Sequence, residues 1–331
     1  MKFMQNFLKV FIAIVLITIT GNLRAQTIEE AGTAFNKAIE LMKTDVNGAI
    51  TAFENTLKML DKIIANPESD QDAMTAEDLK MKAEQQLPNL YFRSATELYK
   101  EKKYDDAIKR YEETVAVCDK YKDESYKEKA NGNIATLYSM KAYSAYKNKE
   151  FDSAIELIDK ALASNPDDVR AMFYKGLFLN KLGKDDEMIA VLEKAIATGP
   201  DDDRSVENSR KLLAGHFSVE GAKLIEKKEF TEALALEGKA LSYDSTFANA
   251  YYYYAAIYNF QENWDKAIEA ANKGLELEKG GDMDKAKFYF ELGNAYKGKG
   301  NNAEACNAYN SAAHGDFTEK AKQMKTELKC Q

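Results

Sequence analysis

The strongest constraint in this sequence is a spacing that returns. Pro166 and Pro200 stand 34 residues apart, as do Ala154 and Met188, and again Ala233 and Ala267. Around these markers one pattern recurs. It has a large apolar or aromatic residue, a small one four on, a large one three further, then a small or apolar one nine later. It reads Tyr138, Ala142, Ala145, Ala154, Ile158, Ala161 and then Met172, Gly176, Leu179, Met188, Leu192, Ala195. Further copies begin at Tyr91, Phe217, Tyr251 and Tyr289, and a degenerate one is marked by Ala49, Ile50, Phe53 and Leu57. Each copy reads as two helices. The small residue of the first and the alanine of the second let antiparallel backbones approach, and the large residues fill the space around that contact. Turns such as Lys147-Asn148-Lys149, Leu182-Gly183-Lys184 and Gly298-Lys299-Gly300 separate the paired helices, and Pro166 and Pro200 stop the second one. No such unit buries its apolar face alone, so the stack is the stable object.

These residues resemble the tetratricopeptide repeat, whose period is about 34 residues, over roughly Ile28 to Gly315. The resemblance implies an all-α, right-handed superhelical α-solenoid of about six to seven helix pairs, with a protein or peptide partner bound in a concave groove lined by the first helices. Some spacings exceed the period. Met188 to Ala233 is 45 residues, and the 11 extra make about three helical turns. The helix-favouring composition there predicts lengthened helices rather than loops. Ala130–Ser139 and Met74–Leu87 read likewise, the latter interrupted by Pro88. Phe317, Ala321, Met324 and Leu328 recur at spacings of four, three and four and predict a capping helix. The organisation expected is a secretory leader over 1–25, N-terminal helices with a degenerate repeat over 26–88, the repeat array over 89–316 and the cap over 317–331.

The leader rests on Lys2 and Lys9, an apolar run from Val10 to Ile19, and a cut near Ala25. That run is short for a bilayer span of roughly 20 residues, so the mature chain is expected to carry no transmembrane anchor and to be periplasmic or secreted. Without Lys2, Lys9 and Arg24 the chain holds 43 basic and 54 acidic residues, a net of −11. Such a surface argues against nucleic acid as a partner.

Helical spacing from two residues before each first aromatic defines the groove face. It holds Phe92, Tyr99, Tyr143, Tyr146, Arg170, Phe173, Asn180, Asn249, Tyr252, Asn259, Lys287, Phe290, Asn294 and Lys297. This face contains aromatics, amides and cations but no carboxylate. Aromatics give contact area at low entropy cost, and Asn can both donate to and accept from a peptide main chain. Lys287 is followed one turn on by Glu291, where relatives that bind chaperone tails carry a second cation, so that ligand is not expected.

Chemistry beyond binding finds little support. Two histidines, His216 and His314, and three cysteines form no metal-ligand spacing, and no nucleophile–base–acid set can be assembled. Gly293 to Lys299 has the outline of a phosphate loop, but Gly300 stands where Ser or Thr belongs and no strand precedes it. No cofactor, metal or enzymatic activity is expected. The leading expectation is a scaffold or adaptor in the bacterial envelope. The rivals are an assembly factor for outer-membrane or secretion machinery, and a carbohydrate- or small-ligand-binding protein using the groove tyrosines. Cys306, early in the second helix of the last copy, and Cys330, at the end of an antiparallel cap, are expected to form a disulfide in an oxidising compartment. Cys118 is left as a small buried hydrophobe.

Overall fold

A computed structural model describes residues 27–330, so the leader lies outside the described residues. Among them the fold is all-α. Fifteen helices follow one another: α1 (Ile28–Leu41), α2 (Val46–Ala65), α3 (Asp70–Lys100), α4 (Tyr104–Tyr121), α5 (Glu124–Lys147), α6 (Phe151–Ser164), α7 (Val169–Leu182), α8 (Asp185–Thr198), α9 (Arg204–Glu226), α10 (Phe230–Tyr243), α11 (Ala248–Phe260), α12 (Trp264–Leu277), α13 (Asp282–Gly298), α14 (Asn302–Ser311) and α15 (Thr318–Leu328). No helix among the described residues is long and apolar enough to cross a membrane.

Contacts divide the chain into two compact units. The first ends at Lys141 and also takes in Ala163–Pro166; the second comprises Ala142–Leu162 and everything from Asp167. In the first, α2 packs between α1 and α3, and α3 packs on α4. In the second, α7 pairs with α8, α9 with α10, α11 with α12 and α13 with α14, and α15 closes onto α14.

The turn inside each pair carries the repeat most plainly. Lys102, Lys149, Gly183, Lys228, Glu262 and Gly300 each adopt the left-handed conformation, with φ between 56° and 79°. In each case the next residue donates its amide back to a carbonyl in the last turn of the first helix: Lys103 to Leu98, Glu150 to Ala145, Lys184 to Leu179, Glu229 to Leu224, Asn263 to Tyr258 and Asn301 to Tyr296. This long back-bond satisfies a carbonyl that the ending helix would otherwise orphan.

The wide spacings are lengthened helices. α3, α5 and α9 have 31, 24 and 23 residues against 14 in α6, α7 and α8. One detail differs from expectation: Pro88 does not interrupt α3, and the boundary placed at 88 falls inside a continuous helix. Proline removes one amide donor, but Leu87, Pro88 and Leu90 are all buried, with the two leucines in a core shared with Ile50, Phe53 and Leu57 of α2. That burial holds the helical path.

At the position four residues after the small or apolar residue that opens each second helix, six pairs carry Tyr111, Ile158, Leu192, Glu237, Ala271 and Tyr309. All six are buried. Four are large and apolar or aromatic, one is a methyl group, and one is a carboxyl. Glu237 is 0% exposed. The Ser218 hydroxyl donates to its Oε2 at 2.8 Å, and Oε1 is buried without a hydrogen-bond partner. A methyl at Gly221 would stand 2.6 Å from that Oε1, so glycine there leaves the carboxyl the room it occupies. Burial pushes the Glu237 carboxyl up to about 8.

Cys306 and Cys330 are bonded, with Cα atoms 5.6 Å apart, and Cys118 is a buried free thiol that burial pushes up to about 11. The cap is also held by Ala321, buried against Ala305, Tyr309 and Ala312, and by the ion pair of Lys297 with Glu327 at 3.1 Å. The bridge spans 24 residues of chain and should contribute roughly 3 kcal/mol through loop closure. Replacing both cysteines by alanine is therefore expected to speed amide hydrogen exchange across Thr318–Leu328 by about a hundredfold. Unchanged protection in α15 would mean that packing alone holds the cap.

Candidate partner-binding face

Four rings from the end of α5 and from α7 form a near-parallel array. Tyr143 stacks on Tyr174 with centroids 5.2 Å apart, and Tyr146 stacks on Phe178 at 4.8 Å. The two stacks lie side by side, Tyr174 and Phe178 being 6.3 Å apart and 5° from coplanar orientation. Tyr143 and Tyr146 are three apart on one helix and Tyr174 and Phe178 four apart on the next, so each pair shares a face. Phe178 is buried, while Tyr143 remains 36% exposed at the edge of the array with the Lys147 ammonium 5.3 Å from its ring centre.

Phe173 extends this surface, its ring 5.7 Å from that of Tyr174. Both line a cleft of about 680 Å³ that also takes in Arg170, Arg204 and Asn208. The cleft's two carboxylates are turned into helix ends. Asp168 accepts the Ala171 amide at 3.0 Å, and Asp203 accepts the Ser205 and Val206 amides at 2.6 and 3.2 Å. Arg170 and Arg204 are exposed and make no ion pair among the described residues. The cleft thus presents two cations beside an aromatic platform. Asn180, at the far end of α7, is exposed.

The groove residues of α11 and α13 are arranged differently. Asn259 donates through Nδ2 to the Glu291 main-chain oxygen at 3.0 Å and to Glu291 Oε2 at 2.8 Å. Asn294 donates to the same Oε2 at 3.2 Å, and the Tyr309 hydroxyl donates to Asn294 Oδ1 at 2.9 Å. Glu291 is only 7% exposed, and burial raises its carboxyl well above the usual range. The two amides expected to face a ligand therefore serve a buried carboxyl that tethers α11, α13 and α14. Glu291 lies one position from Phe290 in the groove register, which is why the sequence shows it beside Lys287 but not that Asn259 and Asn294 turn towards it. Lys287 donates to Asn249 Oδ1 at 2.6 Å, and Lys297 pairs with Glu327 of the cap. Phe290 is covered by Phe317 and Tyr309, at 5.3 and 5.7 Å. Tyr252 lies against Tyr253 and Phe288, and burial raises its phenol strongly.

In the first unit Phe92 packs between Tyr111 and Tyr126, each 5.5 Å away, while Tyr99 stays 40% exposed against Tyr104. Of the expected face, Tyr143, Tyr146, Arg170 and Phe173 converge on one surface. Tyr174 and Arg204 belong to it too, with Phe178 buried beneath, and were missed. Tyr174 and Phe178 mark the side of α7 turned to α5, and Arg204 opens α9; both are visible only once the helices are placed together.

Family models of the tetratricopeptide repeat match residues 139–203 and 286–313, so the chain carries this repeat in both segments. A relative, the protein STIP1 homolog of Dictyostelium discoideum, is 37% identical over 99 residues, which are 29% of this chain and 18% of that protein. Among solved structures, one of MamA protein is 23% identical, with a TM-score of 0.37, covering 58% of this chain and 94% of that one. Another, YrrB, described as a TPR protein with an unusual peptide-binding site, is 18% identical, with a TM-score of 0.37, covering 59% of this chain and 92% of that one.

Proposed function

We propose that this chain is a non-enzymatic adaptor of the bacterial envelope that holds an extended segment of a partner protein across α5, α7 and α9. Stacked helix pairs of this repeat generally serve protein–protein contact, and the matched segment 139–203 contains all four rings of the aromatic array. What carries the reading is the combination of that array with two exposed arginines that make no direct ion pair among the described residues. The arrangement suits a segment presenting an apolar or aromatic side chain next to a carboxylate. Placement in the envelope rests on the basic, then apolar, leader over 1–25.

Tyr143 and Arg170 are exposed, so their loss leaves the fold intact. Beads carrying the Tyr143→Ala/Arg170→Ala variant are expected to retain at least tenfold less of whichever protein the parent chain captures from envelope extract, at an unchanged helical circular dichroism spectrum. Equal capture by parent and variant, measured by quantitative mass spectrometry, would place the binding surface elsewhere.

A further inference from the structure

In the first unit, α3 has 31 residues where α7, an unextended first helix, has 14. The added part, before Pro88, is written in sevens. Asp70, Glu77 and Glu84 form one column, Gln71, Asp78 and Gln85 the next, and Met74 and Met81 a third. A further column, Ala76, Ala83 and Leu90, faces inward. Ala76 is buried with Leu60 and Ile63 of α2, and Ala83 and Leu90 with Ile50 and Phe53. Packing on α2 accounts for that column alone. The other three lie on the opposite side of the helix. Met74 and Met81 are 66% and 52% exposed and belong to neither of these cores.

Residues seven apart stay in line along a helix that winds on another helix, which is why helix–helix seams repeat with this period. Glu77 and Asp78 sit in the turn between the two methionines, three or four residues from each, so apolar and acidic groups make one patch. Lys82 pairs with Asp78 at 2.6 Å, and Lys120 lies near Glu84. Asp70 and Glu77 make no ion pair among the described residues. From 70 to 85 five acids stand against Lys80 and Lys82, a net of −3, and Lys80 is engaged by Asp61 of α2 at 2.5 Å. The patch spans about 21 Å. It ends at Pro88 in a cleft of about 710 Å³ bounded by Tyr121, Lys120 and Lys122. A second copy of this chain would set acid against acid, which is unfavourable. A helix carrying lysine or arginine beside apolar residues matches both parts of the patch. Its side-chain stems lie on the methionines, which adapt to irregular surfaces, while its cations reach the carboxylates.

We propose that the outer face of residues 70–85 is a docking surface for a cationic amphipathic helix of another protein. It is independent of the aromatic array on α5 and α7.

The probe is a fluorescein-labelled three-heptad peptide with leucine at both seam positions of each heptad and lysine beside them. Its anisotropy is followed as the full chain is added at about 0.15 M salt. Saturation with a Kd below about 10 μM is expected, undisturbed by Tyr143→Ala. A peptide of the same composition in scrambled order should bind about tenfold more weakly, which separates this face from the general attraction of an acidic chain for cations. Met74→Ser/Met81→Ser and Asp70→Asn/Glu77→Gln change exposed side chains only, so the fold is retained. Each double variant is expected to weaken binding about tenfold. Sedimentation velocity of the chain alone should be the same for parent and methionine variant. No saturation, equal binding of the scrambled peptide, unchanged affinity in either variant, or an oligomer that the methionine variant dissolves would each overturn the proposal.

Discussion

At pH 8, Glu237→Leu is expected to stabilise the chain by about 4 kcal/mol, and near pH 4.5 by far less. Glu237 occupies a core position at which another pair carries Leu192, so a leucine side chain matches the local packing pattern. In the unfolded chain the carboxyl titrates near its ordinary 4.5; in the folded chain burial holds it at about 8. Between these values the folded state keeps a proton that the unfolded state has lost. Stability from this group is therefore greatest below about pH 4.5, falls as pH rises towards 8, and changes no further above it. The full difference is worth roughly 5 kcal/mol, from which about 1 is deducted for the Ser218 hydroxyl losing its acceptor. Urea unfolding of parent and variant at the two pH values gives the measurement. Two curves displaced equally at both would show that Glu237 is ionised in the folded chain.

The opposite effect is expected at the equivalent position of the last pair. Tyr309 is fully buried, its ring lies 5.7 Å from Phe290, and its hydroxyl anchors Asn294, which in turn holds Glu291. Tyr309→Ala removes a large side chain and one support of the buried carboxyl, and is expected to cost about 5 kcal/mol; Tyr309→Phe keeps the ring and should cost about 1. Thermal unfolding by circular dichroism distinguishes them. An alanine variant within 1 kcal/mol of the phenylalanine one would show that the ring contributes little to this pair.

The helix pairs were legible because a small residue facing a large one at fixed offsets is a packing requirement written directly in residue types. The lengthened helices could be read too, since 11 added residues return the same face inward. Pro88 misled because the local rule for proline ignores what Leu87 and Leu90 gain by burial on α2. The candidate face was only partly readable. Single-helix periodicity finds Tyr143, Arg170 and Phe173, but whether Asn259 or Lys297 faces solvent depends on groups 32 and 30 residues away, Glu291 and Glu327. Glu237 had a signal in the sequence: it is the one charged residue in an otherwise apolar column of the repeats.

That column has a mechanical meaning. A linear stack passes load only between neighbours, so its compliance is set by its weakest joints. In the second unit the column runs Ile158, Leu192, Glu237, Ala271, Tyr309, all buried, with large apolar or aromatic side chains at the ends and a carboxyl and a methyl between Leu192 and Tyr309. The terminal joint is further clamped by the bond between Cys306 and Cys330. Free solenoids fray from their tips, whereas here the tip is the stiff part. Strain applied along this unit, such as that exerted by a partner drawn across α7 and α9, would collect as bending in α9 to α12, as in a leaf spring held fast at its end.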